Sequence, residues 1–322
     1  MTRHITIGTR ASPLALAQTA LTARLLQDTA DLPDDTISVR KISTKGDRIL
    51  DRTLAEIGGK GLFTDELNTG LRDRSIDLAV HSLKDLPTAD EEGLRTVAIL
   101  ARDNPLDILM LATSDGPRPA TLDDVPEGAR IGTASLRRKA QILRARPDLE
   151  LVPLRGNIGT RLAKLSVNDM HATVLAMAGL NRMEYAQPDW VGLSPDIMLP
   201  AAGQGALAVQ CRADDDALIA LLSDLDDATT HACIAAERSF LAGLDGSCRT
   251  PIAALATRHE DDPTMARLRG RLLAEDGTQC AEGTCTFQLV DPAHASAIQA
   301  GASLAADLRA QAPGLVASLA TS

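Results

Sequence analysis

One pattern recurs along most of this chain and restricts its fold more than any other: a short apolar run, a polar turn carrying an arginine or lysine, and then an amphipathic stretch with helical spacing. Strands separated by helices do not close as hairpins. They assemble into largely parallel sheets covered by helices, an α/β fold. His4 to Gly8 reads as the first strand, with Ser12 as N-cap and Pro13 at the first position of the following helix. Leu14, Ala17, Leu21 and Leu25 recur at helical spacing and are expected to form that helix's buried face. Ile37–Ile42, Asp77–Val80, Arg95–Leu100, Asp107–Ala112, Arg130–Gly132, Leu149–Pro153, Ala172–Met177 and Leu207–Cys211 read as further strands.

Ligands of open α/β sheets sit beyond the carboxyl ends of the strands. Arg10, Lys84, Arg137, Arg138, Arg155 and Arg182 fall just past apolar runs, and Arg161 lies about one turn into a helix. Because 43 acidic residues outnumber 33 basic ones, for a formal charge of -10, this concentration of cations runs against the chain's overall balance. The guanidinium fork matches carboxylates and phosphates, so the set points to a ligand with several anionic groups. Any one of these arginines would serve equally well as a solvated helix end. The net charge, only 2% aromatic residues and the lack of a recognition-helix motif argue against a nucleic-acid partner.

Chemistry concentrates in Ile76 to Pro87, IDLAVHSLKDLP, where His81, Ser82, Lys84 and Asp85 follow the apolar run. They suit proton transfer, or else an ordinary surface Lys-Asp pair. The glycine-containing run from Thr44 to Gly61 is too long for a tight connection and reads as a binding loop or lid carrying Lys60, with Phe63 just after it. It lacks Walker spacing. Five cysteines without a C-x-x-C pair fit neither a disulfide framework nor a zinc site, and no metal is expected. Cys211, Cys233, Cys280 and Cys285 lie in apolar surroundings, whereas Cys248 sits in a Gly- and Pro-bracketed loop beside Arg249, where a thiolate is favoured. No long apolar run or signal-peptide pattern is present, so a cytoplasmic protein without membrane contact is expected.

A length of 322 residues calls for two or three domains. The expected division is 1–103 with 200–222, then 104–199, then 223–322. The first two are expected to be α/β lobes around a hinged cleft. The third is a small α+β domain with strands at Ile252–Ala256, Leu268–Ala274 and Thr284–Val290 and a closing helix from about Ala293 to Ala310.

The segments TRASPLALAQ, GGKGLF, AVHSLKDLP, GTASLRR, LRGNIGTRL, AMAGLNR, LPAAGQGALA and LDGSCRTP, in this order, resemble the porphobilinogen deaminase (hydroxymethylbilane synthase) family over nearly the whole chain. The resemblance implies two lobes like type II periplasmic binding proteins and a third domain bearing a cysteine. It also implies a monomer that condenses four porphobilinogen molecules head to tail, releasing ammonia at each addition, onto a dipyrromethane cofactor and hydrolyses off the product. Cys248 is then the thioether anchor and Asp85 the catalytic carboxylate, stabilising the cation left when ammonia departs. Ser12, Lys84, Asp85, Thr133, Ser135, Arg137 and Arg138 match cofactor-binding positions. Arg10, Lys60, Phe63, Arg155, Arg161, Arg182 and Gln204 match substrate-binding ones. Glu56 stands where some relatives have lysine, and GSC where many read GGC; neither removes a reacting group. The rival reading is a non-catalytic hinged binding protein for a polycarboxylate, which would need neither Asp85 beside Lys84 nor the loop cysteine.

Overall fold

The computed structural model describes residues 3–48, 61–165, 170–246, 250–290 and 294–320. They form a mixed α/β protein with three sheets, divided between two compact units, residues 1–103 with 206–231 and residues 104–205 with 232–322.

In the first unit, β1 (Ile5–Arg10), β2 (Ile37–Ile42), β3 (Leu78–Ser82), β4 (Leu94–Ile99) and β10 (Leu207–Arg212) form a sheet in the order β2-β1-β3-β10-β4. β1, β2 and β3 are parallel, while β10 is antiparallel to both its neighbours. Helix α1 (Pro13–Ala30) starts as its caps dictate, with Ser12 Oγ accepting from the Ala15 amide and Pro13 opening the first turn. Its buried face differs from the expected one. Ala15, Gln18, Thr19, Thr22 and Leu26 are buried, and Leu21 and Leu25 are exposed. Gln18 and Thr22 can face inward because they are bonded: Gln18 Nε2 donates to Ser82 Oγ at 2.8 Å, and Thr22 Oγ1 to the Gln18 carbonyl at 3.0 Å, whereas the buried Thr19 Oγ1 has no hydrogen-bond partner among the described residues. Helix α2 (Asp65–Arg72) does bury Leu67 and Leu71, against Ile76, Ala79 and Leu94.

The second unit holds β5 (Asp107–Leu111), β6 (Arg118–Ala120), β7 (Arg130–Gly132), β8 (Glu150–Val152) and β9 (Ala172–Ala176), ordered β8-β7-β9-β5-β6 from one edge. β7, β8 and β9 are parallel and β5 is antiparallel to β9. The antiparallel strand therefore takes the same next-to-last place as β10 in the first sheet. One consequence is positional: Asp107, the first residue of β5, pairs with Ala176, the last of β9, and so lies at the carboxyl end of the parallel strands. Helices α3 (Leu136–Ala145), α4 (Ile158–Leu165) and α5 (Met177–Arg182) follow β7, β8 and β9. Arg182 thus ends a short helix.

The same unit contains an antiparallel meander of β11 (Ile252–Arg258), β12 (Met265–Leu273) and β13 (Cys280–Gln288). Phe240 and Cys233 from the helix Ala228–Gly243, with Leu304 and Leu308 from the helix Ala295–Gln311, share a core with Leu268 and Phe287 of these strands. The two helices approach closely at Gly301, where a Cβ would stand 2.3 Å from the Ala236 carbonyl oxygen and 2.8 Å from the Phe240 amide nitrogen. Backbone atoms cannot turn aside as a side chain can. Gly301→Ala is expected to cost roughly 1–3 kcal/mol despite alanine's better helix propensity. Gly314→Ala, where a Cβ meets nothing within 4 Å, should carry no such cost. Urea unfolding midpoints check both, and equal midpoints would refute the close contact.

Candidate functional site

In the first unit, the polar groups gather where β1 and β3 end. Arg10 is the last residue of β1, and its guanidinium lies 4.1 Å from the centre of the Phe63 ring, a cation–π contact. The same guanidinium stands 3.9 Å from Asp85 Oδ2, with both side chains partly exposed. Lys84 and Asp85 occupy a single 3-10 turn, Leu83–Asp85, directly after β3. The turn is short because the Leu86 amide returns to the Leu83 carbonyl, which leaves the Asp85 carboxylate at the strand's carboxyl end. Ser12 is engaged as the cap of α1. Lys60 and Cys248 lie outside the described residues, as does Glu56.

His81 and Ser82 are corrected by the structure: they are the last two residues of β3, not residues beyond it. His81 is 5% exposed, and its Nε2 has no hydrogen-bond partner. Burial pushes its pKa down to about 4; the nearby Gln210 amide opposes that shift and the Arg10 charge reinforces it. A neutral imidazole in this position is a packing group rather than a proton donor at neutral pH.

In the second unit, the Thr133–Arg138 segment turns β7 into α3. Ser135 Oγ caps the helix by accepting from the Arg138 amide, and Thr133 Oγ1 accepts from the Ser135 amide at 3.2 Å. The cap fixes the direction of the first helical turn, and with it two guanidiniums. Both are almost fully buried and both end on Asp107. Arg138 Nε and Nη2 donate to Asp107 Oδ1 at 3.2 and 2.7 Å, and Arg137 Nη1 stands 2.8 Å from Oδ2. Gln204 Nε2 donates to the same Oδ1 at 2.9 Å and to the Pro105 carbonyl at 2.7 Å. Burial alone would raise the Asp107 pKa, but the two guanidiniums outweigh it and hold the carboxyl well below the usual range. The charges do not balance. Two permanently charged guanidiniums against one carboxylate leave an excess positive charge in a buried place.

Of the other expected arginines of this unit, Arg155 precedes α4, Arg161 lies on α4 and Arg182 ends α5. Arg161 Nε donates to the Gly156 carbonyl at 2.8 Å, and Arg182 Nη2 donates to the Gly205 carbonyl. Arg155 keeps a buried Nη1 without a hydrogen-bond partner, an arrangement suited to an incoming anion. Gly156, at φ +128°, makes the turn that starts α4; a side chain there would be strained and would strike Thr160.

Two buried acids escaped the sequence reading. Asp107 opens an apolar strand, and a lone acid in that position is a usable signal only once the strand is known to be antiparallel. Glu237 is fully buried in a helix, where its Oε2 accepts from the Gly203 amide and its Oε1 from the Ala256 amide, both at 2.7 Å. It ties the loop carrying Gln204 to β11. Among the described residues, no group of three or more potential ligands could hold a metal ion, and no helix is long and apolar enough to cross a membrane.

Residues 5–220 match the family model described as porphobilinogen deaminase, dipyromethane cofactor binding domain, and residues 231–310 match the porphobilinogen deaminase C-terminal domain. The porphobilinogen deaminase of Brevibacillus brevis is 46% identical over 282 residues, 88% of this chain and 88% of that protein. Those of Paracoccus denitrificans (45% over 309 residues, 96% and 95% covered) and Nitrobacter winogradskyi (43% over 307 residues, 95% and 93% covered) are similar to the same extent. Among solved structures, the periplasmic VFT2 domain of Bordetella pertussis BvgS aligns over 69% of this chain and 86% of its own at 15% identity, with a TM-score of 0.38, too distant a likeness to add to these matches.

The buried imidazole generates a pH prediction. With a folded pKa of about 4 against about 6.5 unfolded, the unfolded chain binds this proton first as pH falls. Stability should be insensitive to His81 above about pH 6.5 and should fall progressively toward pH 4, by on the order of 3 kcal/mol. Unfolding free energies of the wild type and His81→Asn, measured across that window, should diverge in slope; parallel slopes would contradict the assignment.

Proposed function

The chain belongs to the porphobilinogen deaminase family, and from that premise we propose that Asp85 is its catalytic carboxylate and that Arg137 and Arg138 belong to the anion-binding machinery for its cofactor. The enzyme is a transferase of tetrapyrrole biosynthesis that joins four porphobilinogen molecules head to tail with loss of ammonia, on a dipyrromethane cofactor, and releases hydroxymethylbilane by hydrolysis. When bound, the cofactor supplies the nucleophilic pyrrole carbon on which the chain grows.

The observation that carries the assignment is the buried pair of guanidiniums sharing a single carboxylate. Leaving a buried charge uncompensated is costly, and a pyrrole acetate or propionate is the counter-ion that would relieve it. The donor set fits such a group: guanidiniums, a capped helix start at Ser135, and the Thr133 hydroxyl. In this reading Lys84 and Ser12 assist in holding the cofactor and Cys248 anchors it by a thioether. Arg10, Arg155, Arg161, Arg182, Lys60, Phe63 and Gln204 receive substrate or the growing chain. The three sheets are read as three domains, 1–103 with 200–222, 104–199 and 223–322. The reading also takes the protein as a monomer acting in the cytoplasm.

Asp85 can do its work because Arg10 stands no closer than 3.9 Å, which leaves the carboxylate oxygens available. The carboxylate then stabilises the cation that develops as ammonia leaves, and accepts the proton released when the new bond forms. Neutralising it should therefore act on turnover rather than on folding. Asp85→Asn is expected to slow ammonia release from porphobilinogen by ~100-fold or more. Because the ion pair is long and partly exposed, the same change should alter stability by less than about 1 kcal/mol. Wild-type rates of ammonia release in the variant would refute the role, and no ammonia release from the wild type would refute the activity.

A further inference from the structure

Asp107 is not among the residues that the family resemblance carries over, yet three that are, Arg137, Arg138 and Gln204, meet at its carboxylate. The two arginines are not equivalent there. Arg138 has Nε and Nη2 on Asp107 Oδ1 and Nη1 on the Val174 carbonyl at 2.8 Å, so each of its nitrogens is engaged by the protein. Arg137 uses Nη1 alone, between Asp107 Oδ2 and the Leu199 carbonyl at 2.7 Å. Its Nε and Nη2 have no hydrogen-bond partner among the described residues, and these two nitrogens form one edge of the planar fork that pairs with a carboxylate.

We infer that Asp107 is a positioning residue for cofactor binding, and that it divides the arginine pair into a brace, Arg138, and a contact, Arg137, whose Nε–Nη2 edge receives a pyrrole carboxylate. The division rests on reading the pair as cofactor-binding residues. Three observations carry it. Asp107 is 0% exposed, so its carboxylate answers to these side chains and not to solvent. It begins the antiparallel strand, which places it on the ligand side of the sheet. Finally, a second carboxylate is what the remaining positive charge calls for, and the open edge of Arg137 is where the unengaged donors are.

The full chain, produced in cells that make no porphobilinogen and then given it, provides the test. Side-chain ¹⁵N–¹H spectra before and after priming should show the Arg137 Nε–H resonance moving and that of Arg138 staying in place; equal movement of both, or movement of Arg138 alone, overturns the division. Intact mass is read on the same samples, and a wild type that acquires no covalent pyrrole units overturns the cofactor reading and this inference with it. Asp107→Asn, assayed at a temperature where it is folded, should raise KM for porphobilinogen or lower the primed fraction by about 10-fold, with partial recovery in Asp107→Glu. Asp77→Asn is the stability control, since Asp77 belongs to the first unit and is bonded there to Arg3, Arg212 and the Thr6 amide. It should lower the unfolding midpoint without moving KM. Wild-type KM and priming in both Asp107 variants would overturn the positioning role. If Asp107→Asn does not fold, Asp107→Glu and the spectra decide.

Discussion

The buried carboxylate of Asp107 between two guanidiniums is the interaction on which the candidate site of the second unit depends. Burying three charges costs several kcal/mol per ion before their attraction is counted, and a well-packed apolar replacement is often as stable or more so. Stability alone therefore does not explain the triad. An excess of one positive charge, held rigid and away from water, is a poor structural device and a good receptor for an anion. Its rigidity also matters, since a guanidinium fixed by a cap at Ser135 and a counter-ion at Asp107 loses little freedom when a ligand carboxylate arrives.

Strand direction makes this arrangement possible. Each five-stranded sheet has its antiparallel strand next to last, and in each case the beginning of that strand lies beside the end of a parallel one. Segments distant in sequence are thus delivered to the side where α/β sheets bind ligands. In the first unit the same logic sets Arg10 and the Lys84–Asp85 turn at adjacent strand ends, while the long Arg10–Asp85 spacing leaves the carboxylate partly solvated and available.

Much of this was legible locally. Ser12 and Ser135 cap helices because cap chemistry is written in a few neighbouring residues, and the arginines after β7, β8 and β9 announce themselves by following apolar runs. What was not legible depends on the third dimension. The face of α1 differs from the expected one because Gln18, Thr19 and Thr22 are polar and yet buried, with the bonds of Gln18 and Thr22 supplied by a side chain and a carbonyl that periodicity cannot see. His81 looked like a proton carrier until the strand was found to include it. Asp107 looked like an ordinary strand start, because the direction of β5 and the identity of its neighbour are properties of the sheet. Lys60 and Cys248, both prominent in the sequence, fall outside the described residues.

The claim that the enzyme works on a covalently held primer is tested most directly by the intact mass of the denatured protein beside Cys248→Ser. The account predicts an excess of two pyrrole units on the active wild type and none on the variant. An active wild type with the bare mass of its 322-residue chain would contradict it.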